Sequence, residues 1–238
     1  MSFLIPHMPQ DDEISLFRAS WSLYDAISEK NYMFHRELYA HVADLLRQRH
    51  QNGPYTLLDL GCGNARFLAP CLHAAPPSRY EGIDLSEAAL GEAPSYLAPL
   101  ANTTLRCADM LHAVRTAEST HDVLFSGYAV HHLDTAGKQA LLNASAACLK
   151  PGGTFILLDV AREPGQSRED YLQGYLHNMR TKWTAVRPDH LDEACAHVAA
   201  YDFPETLPDL QEMARTAGFT DIRLVDRHAQ HHLLVLAR

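Results

Sequence analysis

The stretch "YTLLDLGCGNARF", Tyr55 to Phe67, constrains this chain more than any other. The run "TLLDL" reads as a buried strand, and Gly61, Gly63 and the small Ala65 follow it at once. Glycine tolerates the left-handed backbone of a tight turn and allows another group to approach closely. The spacing predicts a helix over 64–74, closed by Pro76-Pro77. The same rhythm then repeats. "RYEGID" is a second strand, and "SEAALGEAPSYLA" is a helix capped by Ser86 and expected to kink or end at Pro94. "TTLRCAD" and "HDVLFSG" are strands three and four. The helix "TAGKQALLNASAACL", with Leu141, Leu142 and Leu149 inward, leads through the turn "KPGG" to the strand "TFILLDV". Such alternation, with fully apolar strand runs, implies a parallel α/β sheet with helices on both faces.

The flanks are different. Ile14, Phe17, Trp21 and Tyr24 recur at helical spacing, and a second helix carries Phe34, Leu38, Val42 and Leu45 before Gly53-Pro54. After Val160 the rhythm breaks. Residues 162–203 are polar, helix-prone and rich in His, Tyr and Arg, so they read as an insert that covers the ligand crevice. A helix "TLPDLQEMARTAGF" and a hairpin, "TDIRLVDRHA" with "QHHLLVLAR", close the chain. Four segments are expected: an N-terminal helical lid over 1–53, a binding core over 54–161, a helical cap over 162–204, and completion of the sheet over 205–238.

Charge and composition narrow the partners. A formal charge of -9 with no dense Lys/Arg stripe disfavours nucleic acid. Five widely spaced cysteines, without a CxxC, suggest neither a disulfide framework nor a zinc knuckle. No run approaches the ~18 apolar residues of a membrane span, and "MSFLIPHMPQDDE" lacks the basic region of a signal peptide. A soluble cytoplasmic protein is the expectation, and the oligomeric state is open.

In an open parallel sheet the ligand sits at the carboxyl ends of the strands. The amides of Gly61 and Gly63 are expected to face it. Asp84 ends the second strand about twenty residues beyond Gly63, the spacing of an acid that binds ribose hydroxyls. Together they imply a nucleoside. Arg66 stands where a dinucleotide site needs its third glycine, and Asp59 beneath the turn would repel a pyrophosphate. That acid suits a ligand bearing an ammonium and a sulfonium.

From Tyr55 to Arg238 the chain resembles the class I S-adenosylmethionine-dependent methyltransferases. The resemblance rests on "LLDLGCGNAR", "GIDLS", "CADM", "FSGYAVHHL", "LKPGGTFILLDV" and "AGFTDIRLV", in that order. It is most similar to the small-molecule type and lacks the (N/D/S)PP(Y/F) stretch of base-amino methyltransferases. The resemblance implies a Rossmann-like seven-stranded sheet with its last strand antiparallel, and S-adenosyl-L-methionine as cofactor. Asp59, Gly61 and Gly63 match the motif around the methionine part, Asp84 and Leu85 the ribose and adenine contacts, and Asp109 and Met110 the adenine amino end. Ser126 and Gly127 fall beside the methionine, and Tyr24 of the leading helix is placed over it. Ala65 departs from members with a third glycine.

Methyl transfer from a sulfonium is mostly a matter of alignment and exclusion of water. An oxygen or nitrogen acceptor must also lose a proton, and His131 and His132 at the rim of the fourth strand are the candidate bases. Substrate contacts are expected from Tyr32, His35 and Tyr128, and from Arg162, Tyr175, His177, Arg180 and Trp183 of the insert; Arg162 or Arg180 would hold an acidic group. Tyr171 shares a helical face with Tyr175. His197 and Asp202 form a pair if "VAAY" bends back. His228, His231 and His232, with the earlier pair His131 and His132, invite a metal, yet no acid or cysteine joins them at ligand spacing, so no metal is expected. The reaction implied is O- or N-methylation of a small molecule. The alternatives are non-methyl chemistry on the same donor, such as cyclisation or another alkyl transfer, a protein or RNA acceptor, and a non-catalytic binding protein.

Overall fold

The computed structural model describes residues 27–117 and 120–238. The expected helix through Ile14, Phe17, Trp21 and Tyr24 therefore lies outside the described residues.

The described chain runs α1 (His35–Gln51), β1 (Thr56–Leu60), α2 (Ala69–Ala74), β2 (Arg79–Asp84), α3 (Glu87–Leu97), β3 (Thr103–Cys107), α4 (Met110–Arg115) and β4 (His121–Gly127). A single 3₁₀ turn, Val130–His132, leads into α5 (Thr135–Cys148) and β5 (Leu149–Val160). Then follow α6 (Arg168–Lys182), α7 (Pro188–Tyr201), α8 (Leu207–Thr216), β6 (Asp221–His228) and β7 (His231–Ala237). The seven strands lie in the order β3-β2-β1-β4-β5-β7-β6. All neighbours from β3 to β5 pair in parallel, and β7 runs antiparallel to both β5 and β6. Strand order reverses between β1 and β4, which places the ligand crevice at the ends of those two strands.

Strand alternation builds two cores. Leu57, Val123, Phe125, Ile156 and Leu158 face α1 and α2, where Leu38, Val42, Leu46 and Leu72 meet them. Leu58, Leu60, Leu124, Phe155 and Leu157 face the other way, onto Leu141, Leu142, Ala146 and Ala214 of α5 and α8. A third cluster joins Tyr171, Tyr175 and Met179 of α6, and Trp183 just after it, to Ala194 and Cys195 of α7 and to Ile27. The inserted segment thus has a small core of its own.

Three local expectations are corrected. The helix expected over 64–74 begins only at Ala69. Asn64 Oδ1 accepts the Arg66 N–H at 3.1 Å and Ala65 takes a φ of 59°, so a side-chain turn competes with the helix here. Of the kink or end expected at Pro94, the end does not occur: the helix continues to Leu97. Ala89, Ala93 and Leu97 bury one face, while Pro94 is exposed, where water can serve the carbonyl it leaves without a helical donor. "KPGG" lies within β5 as an irregularity in its pairing with β4, Gly152 taking a φ of 76°. Leu149, expected inside the helix, opens that strand.

Candidate active site

The carboxyl ends of β1, β2 and β4 open into a cavity of about 320 Å³. Its floor is the glycine turn, and α6 and α7 supply the opposite wall through Tyr175, Met179, Trp183, His197 and Tyr201.

The turn is held by β2. Gly61 and Cys62 both donate their N–H to Ile83 O, at 2.8 and 2.9 Å, and Gly63 donates to Asp84 Oδ2 at 2.7 Å. The two glycine amides therefore point back into the protein and not, as expected from the sequence, toward the ligand. Glycine is required at 61 for a different reason. Its φ is 76°, and a Cβ there would lie 2.4 Å from the Ala129 Cβ. The segment after β4 is packed directly onto the turn.

Three acids mark the strand ends on the cavity wall: Asp59, Asp84 and Asp109. Asp59 is buried, with Oδ2 accepting from the Tyr80 hydroxyl at 2.8 Å and Oδ1 without a partner. Burial pushes its pKa up to about 7; the Tyr80 hydrogen bond works against this, and the nearby Asp84 charge adds to it. Asp84 accepts the Ser86 N–H on Oδ1 at 2.8 Å and the Gly63 N–H on Oδ2. Burial raises its pKa, and these backbone bonds oppose the rise. Asp109 caps α4 by accepting the His112 N–H at 2.7 Å while it lines the cavity, so capping and ligand contact fall on one residue. Leu85, Met110 and Gly127 line the wall beside them. Ser126 does not. It alternates to the opposite sheet face, where its hydroxyl donates to Leu60 O at 2.7 Å.

At the other end stand His131 and His132, ring centroids 4.0 Å apart. The His131 N–H donates to Asp159 Oδ2 at 2.8 Å, and its Nδ1 lies 2.5 Å from Asp159 Oδ1. Its Nε2 faces Asp202 Oδ1 at 3.6 Å. Burial alone would lower the His131 pKa, but the two carboxylates outweigh it and push it up to about 9. His132 goes the other way. Burial, and then the charge of His131, hold its pKa well below the usual imidazole value. Adjacent in sequence, the two rings have their pKa values moved in opposite directions. His197 packs edge-on against His132 at 5.5 Å. Phe203 donates its N–H to His131 O at 2.8 Å, which ties the end of the insert to this pair.

The substrate candidates divide. Tyr128, Tyr175 and Trp183 line the cavity. Tyr32 stacks on the back of Trp183, centroids 5.3 Å apart, and its hydroxyl accepts the Ala185 N–H at 2.9 Å, so it braces the wall from outside. His35 is fully buried against Phe67 at 4.1 Å, and burial followed by the Arg66 charge pushes its pKa down to about 3. Arg162 is committed within the protein: its guanidinium donates to Pro204 O at 2.6 Å and to Gln166 O and faces Glu205 Oε2 at 3.6 Å. His177 and Arg180 are exposed on α6, on the side away from the cavity. Sequence reasoning missed Asp159, Met179 and Tyr201, and it did not foresee that Asp202 would face His131 and His132. Asp159 carried a signal, as the acid near the end of an otherwise apolar strand "TFILLDV". Arg66, read as an obstruction, donates to Ser28 Oγ at 2.9 Å and faces Glu29 at 3.6 Å.

This strand order, with acids at the ends of β1 and β2 around a glycine turn, defines the class I S-adenosylmethionine-dependent methyltransferase fold. Residues 57–153 match a family model described as "Methyltransferase domain". Human N-acetylserotonin methyltransferase, in complex with SAM, superposes with a TM-score of 0.66 at 15% identity, covering 98% of this chain and 60% of its own. Magnesium protoporphyrin IX methyltransferase from Synechocystis PCC 6803, with bound SAH, gives 0.65 at 16%, covering 94% and 96%. A possible exported protein from Bordetella parapertussis gives 0.61 at 21%, covering 85% and 67%. The chain spans only 53% and 57% of two further methyltransferases, SibL and one from Nostoc punctiforme. No curated protein sequence gives a significant match. Among the described residues no helix is long and apolar enough to cross a membrane.

Proposed function

We propose that this protein transfers the methyl group of S-adenosylmethionine to an oxygen or nitrogen of a small molecule. The observation that carries the reading is the partnerless Oδ1 of Asp59 at the cavity wall. A buried carboxylate oxygen without a donor is costly, and a cationic ammonium would relieve it. The residues present thus fit the cofactor: Asp59 for its ammonium, Asp84 for the ribose, and Asp109 with Leu85 and Met110 for the adenine. Tyr24 keeps its place in this reading from the sequence alone. When bound, S-adenosylmethionine supplies a methyl group already activated by the sulfonium charge.

The chain's own part is alignment. Phe125, Tyr128, Tyr175, Met179 and Trp183 make a mostly apolar chamber that excludes water and favours a flat, weakly charged acceptor. The His131–His132 pair forms its polar end, where the acceptor's hydroxyl or amine is placed and its proton withdrawn. The inserted helices serve as the acceptor-binding cap. The proposed partner is a small molecule, and a net charge of -9 argues against nucleic acid. Calorimetry with S-adenosylhomocysteine tests the donor half. Incubation with S-adenosylmethionine and a panel of phenols and aryl amines tests the acceptor half, read as S-adenosylhomocysteine formed. Release of methylthioadenosine instead would refute methyl transfer.

A further inference from the structure

We propose that His131, His132 and Asp202 form a site for one divalent transition-metal ion at the acceptor end of the cavity. The three come from two distant parts of the chain: a 3₁₀ turn after β4, and the residue that follows α7. One ligand atom from each lies within 4.8 Å of the other two. Asp202 Oδ1 is 3.6 Å from His131 Nε2 and 3.8 Å from His132 Nδ1. A zinc ion with nitrogen and oxygen ligands at ~2.0–2.1 Å holds its donors roughly 3.3 Å apart, so both distances from Asp202 need contract by only a few tenths of an ångström.

Three further features favour a cation here. Asp159 Oδ1 holds His131 Nδ1, which leaves Nε2 aimed at the site; a carboxylate behind a ligating imidazole is the usual support of such a ligand. The buried carboxylates of Asp159 and Asp202 converge on His131, so anionic oxygens border the place a cation would take. The nitrogens of the two neighbouring cations are engaged elsewhere: Lys138 Nζ donates to Leu133 O and Phe203 O and faces Glu205, and the Arg168 guanidinium donates to the carbonyls of Asp202 and Ala199. His132 Nδ1 also lies 3.2 Å from Tyr201 O, so the metal replaces a proton shared with that carbonyl.

Two imidazoles and one carboxylate suit zinc or iron(II), and not magnesium, which prefers oxygen ligands. Three protein ligands leave positions open, and His131, His132 and Asp202 all line the cavity. An acceptor oxygen would enter there, and the cation would favour its deprotonated form. The purpose of the metal rests on the methyl-transfer reading; its binding does not.

The test is equilibrium dialysis of the full chain against Zn²⁺, with metal counted by mass spectrometry. Asp202→Asn and His132→Ala are each expected to bind one ion fewer than wild type. Asp159→Asn should keep the ion with affinity lowered ~10–100-fold, because it only positions His131. Equal metal content in wild type and both ligand variants would overturn the site, as would uptake of Mg²⁺ in preference to Zn²⁺. Should both variants fail to fold, Co²⁺ added to wild type is expected to shift the ring protons of His131 and His132. Shifts at His41 and His228 instead, which share Asp226 at the surface, would equally overturn it. Calorimetry with S-adenosylhomocysteine on the same samples separates loss of the metal site from failure of the donor assignment.

Discussion

The hydroxyl of Tyr80 donates to Asp59 Oδ2 at 2.8 Å and leaves Oδ1 of the same buried carboxylate without a protein partner. One oxygen is fixed by the sheet, and the other is the proposed acceptor for the donor's ammonium. Asp59→Asn is expected to weaken S-adenosylhomocysteine binding by about 1.5–3 kcal/mol, the worth of a hydrogen bond to a charged group. The same change should stabilise the unliganded protein at pH 8 by about 1 kcal/mol, or ~2–4 °C in Tm, because it removes an unsatisfied buried charge. Calorimetry and thermal melts read the two effects, which have opposite signs.

The raised pKa of Asp59 gives a pH dependence with a definite sign. Its folded value is about 7 against an ordinary 3.8, so the folded state holds the proton more tightly. Its contribution to stability is full below the ordinary value, falls as pH rises toward 7, and levels off above. Donor binding needs the carboxylate. The affinity of S-adenosylhomocysteine should therefore rise from pH 5.5 to 7 and then flatten, and Asp59→Asn should abolish that slope. A flat wild-type profile would separate Asp59 from the ammonium.

Asp84 has two duties, since its oxygens accept the Gly63 and Ser86 N–H groups and also border the cavity. Asp84→Ala should cost about 2 kcal/mol in donor binding, roughly thirtyfold, and should also loosen the glycine turn. Faster amide exchange at Gly63 would report the second effect. Unchanged affinity would remove the ribose assignment.

Gly61→Ala is expected to destabilise the fold by more than about 2 kcal/mol, from a positive φ and from the 2.4 Å approach to Ala129. Adding Ala129→Gly should recover the steric part and leave the backbone part, about 1–2 kcal/mol. Urea denaturation of the two proteins measures the split.

The acceptor end should respond separately from the donor end. His132→Ala is expected to lower turnover ~100-fold or more while S-adenosylhomocysteine affinity stays within twofold. Trp183→Ala should raise the acceptor KM, because that ring lines the cavity. Arg180→Ala should leave both constants unchanged, since its side chain points to solvent. A large effect at Arg180 would mean that the acceptor reaches the outer face of α6.

The sheet, the turn and the acids around it were legible in the sequence. Strand runs such as "TLLDL" and "FILLDV", helices capped by Ser86, and an acid at each strand end are all local, because short-range periodicity and capping chemistry fix them. The departures at Asn64 and Pro94 arose where a side-chain turn or a buried helix face outweighed local propensity. The partners of the polar residues came from folding, which brought distant segments together. It joined His131 to Asp159 and Asp202, which lie 28 residues away in sequence in the first case and at the end of the inserted helices in the second. It turned the glycine amides inward onto Ile83 and Asp84, and it sent Arg162 to the backbone and Arg180 to solvent. The physical reason is that charge and desolvation depend on what surrounds a group in space. Two neighbouring histidines of one sequence motif thus have their pKa values shifted in opposite directions.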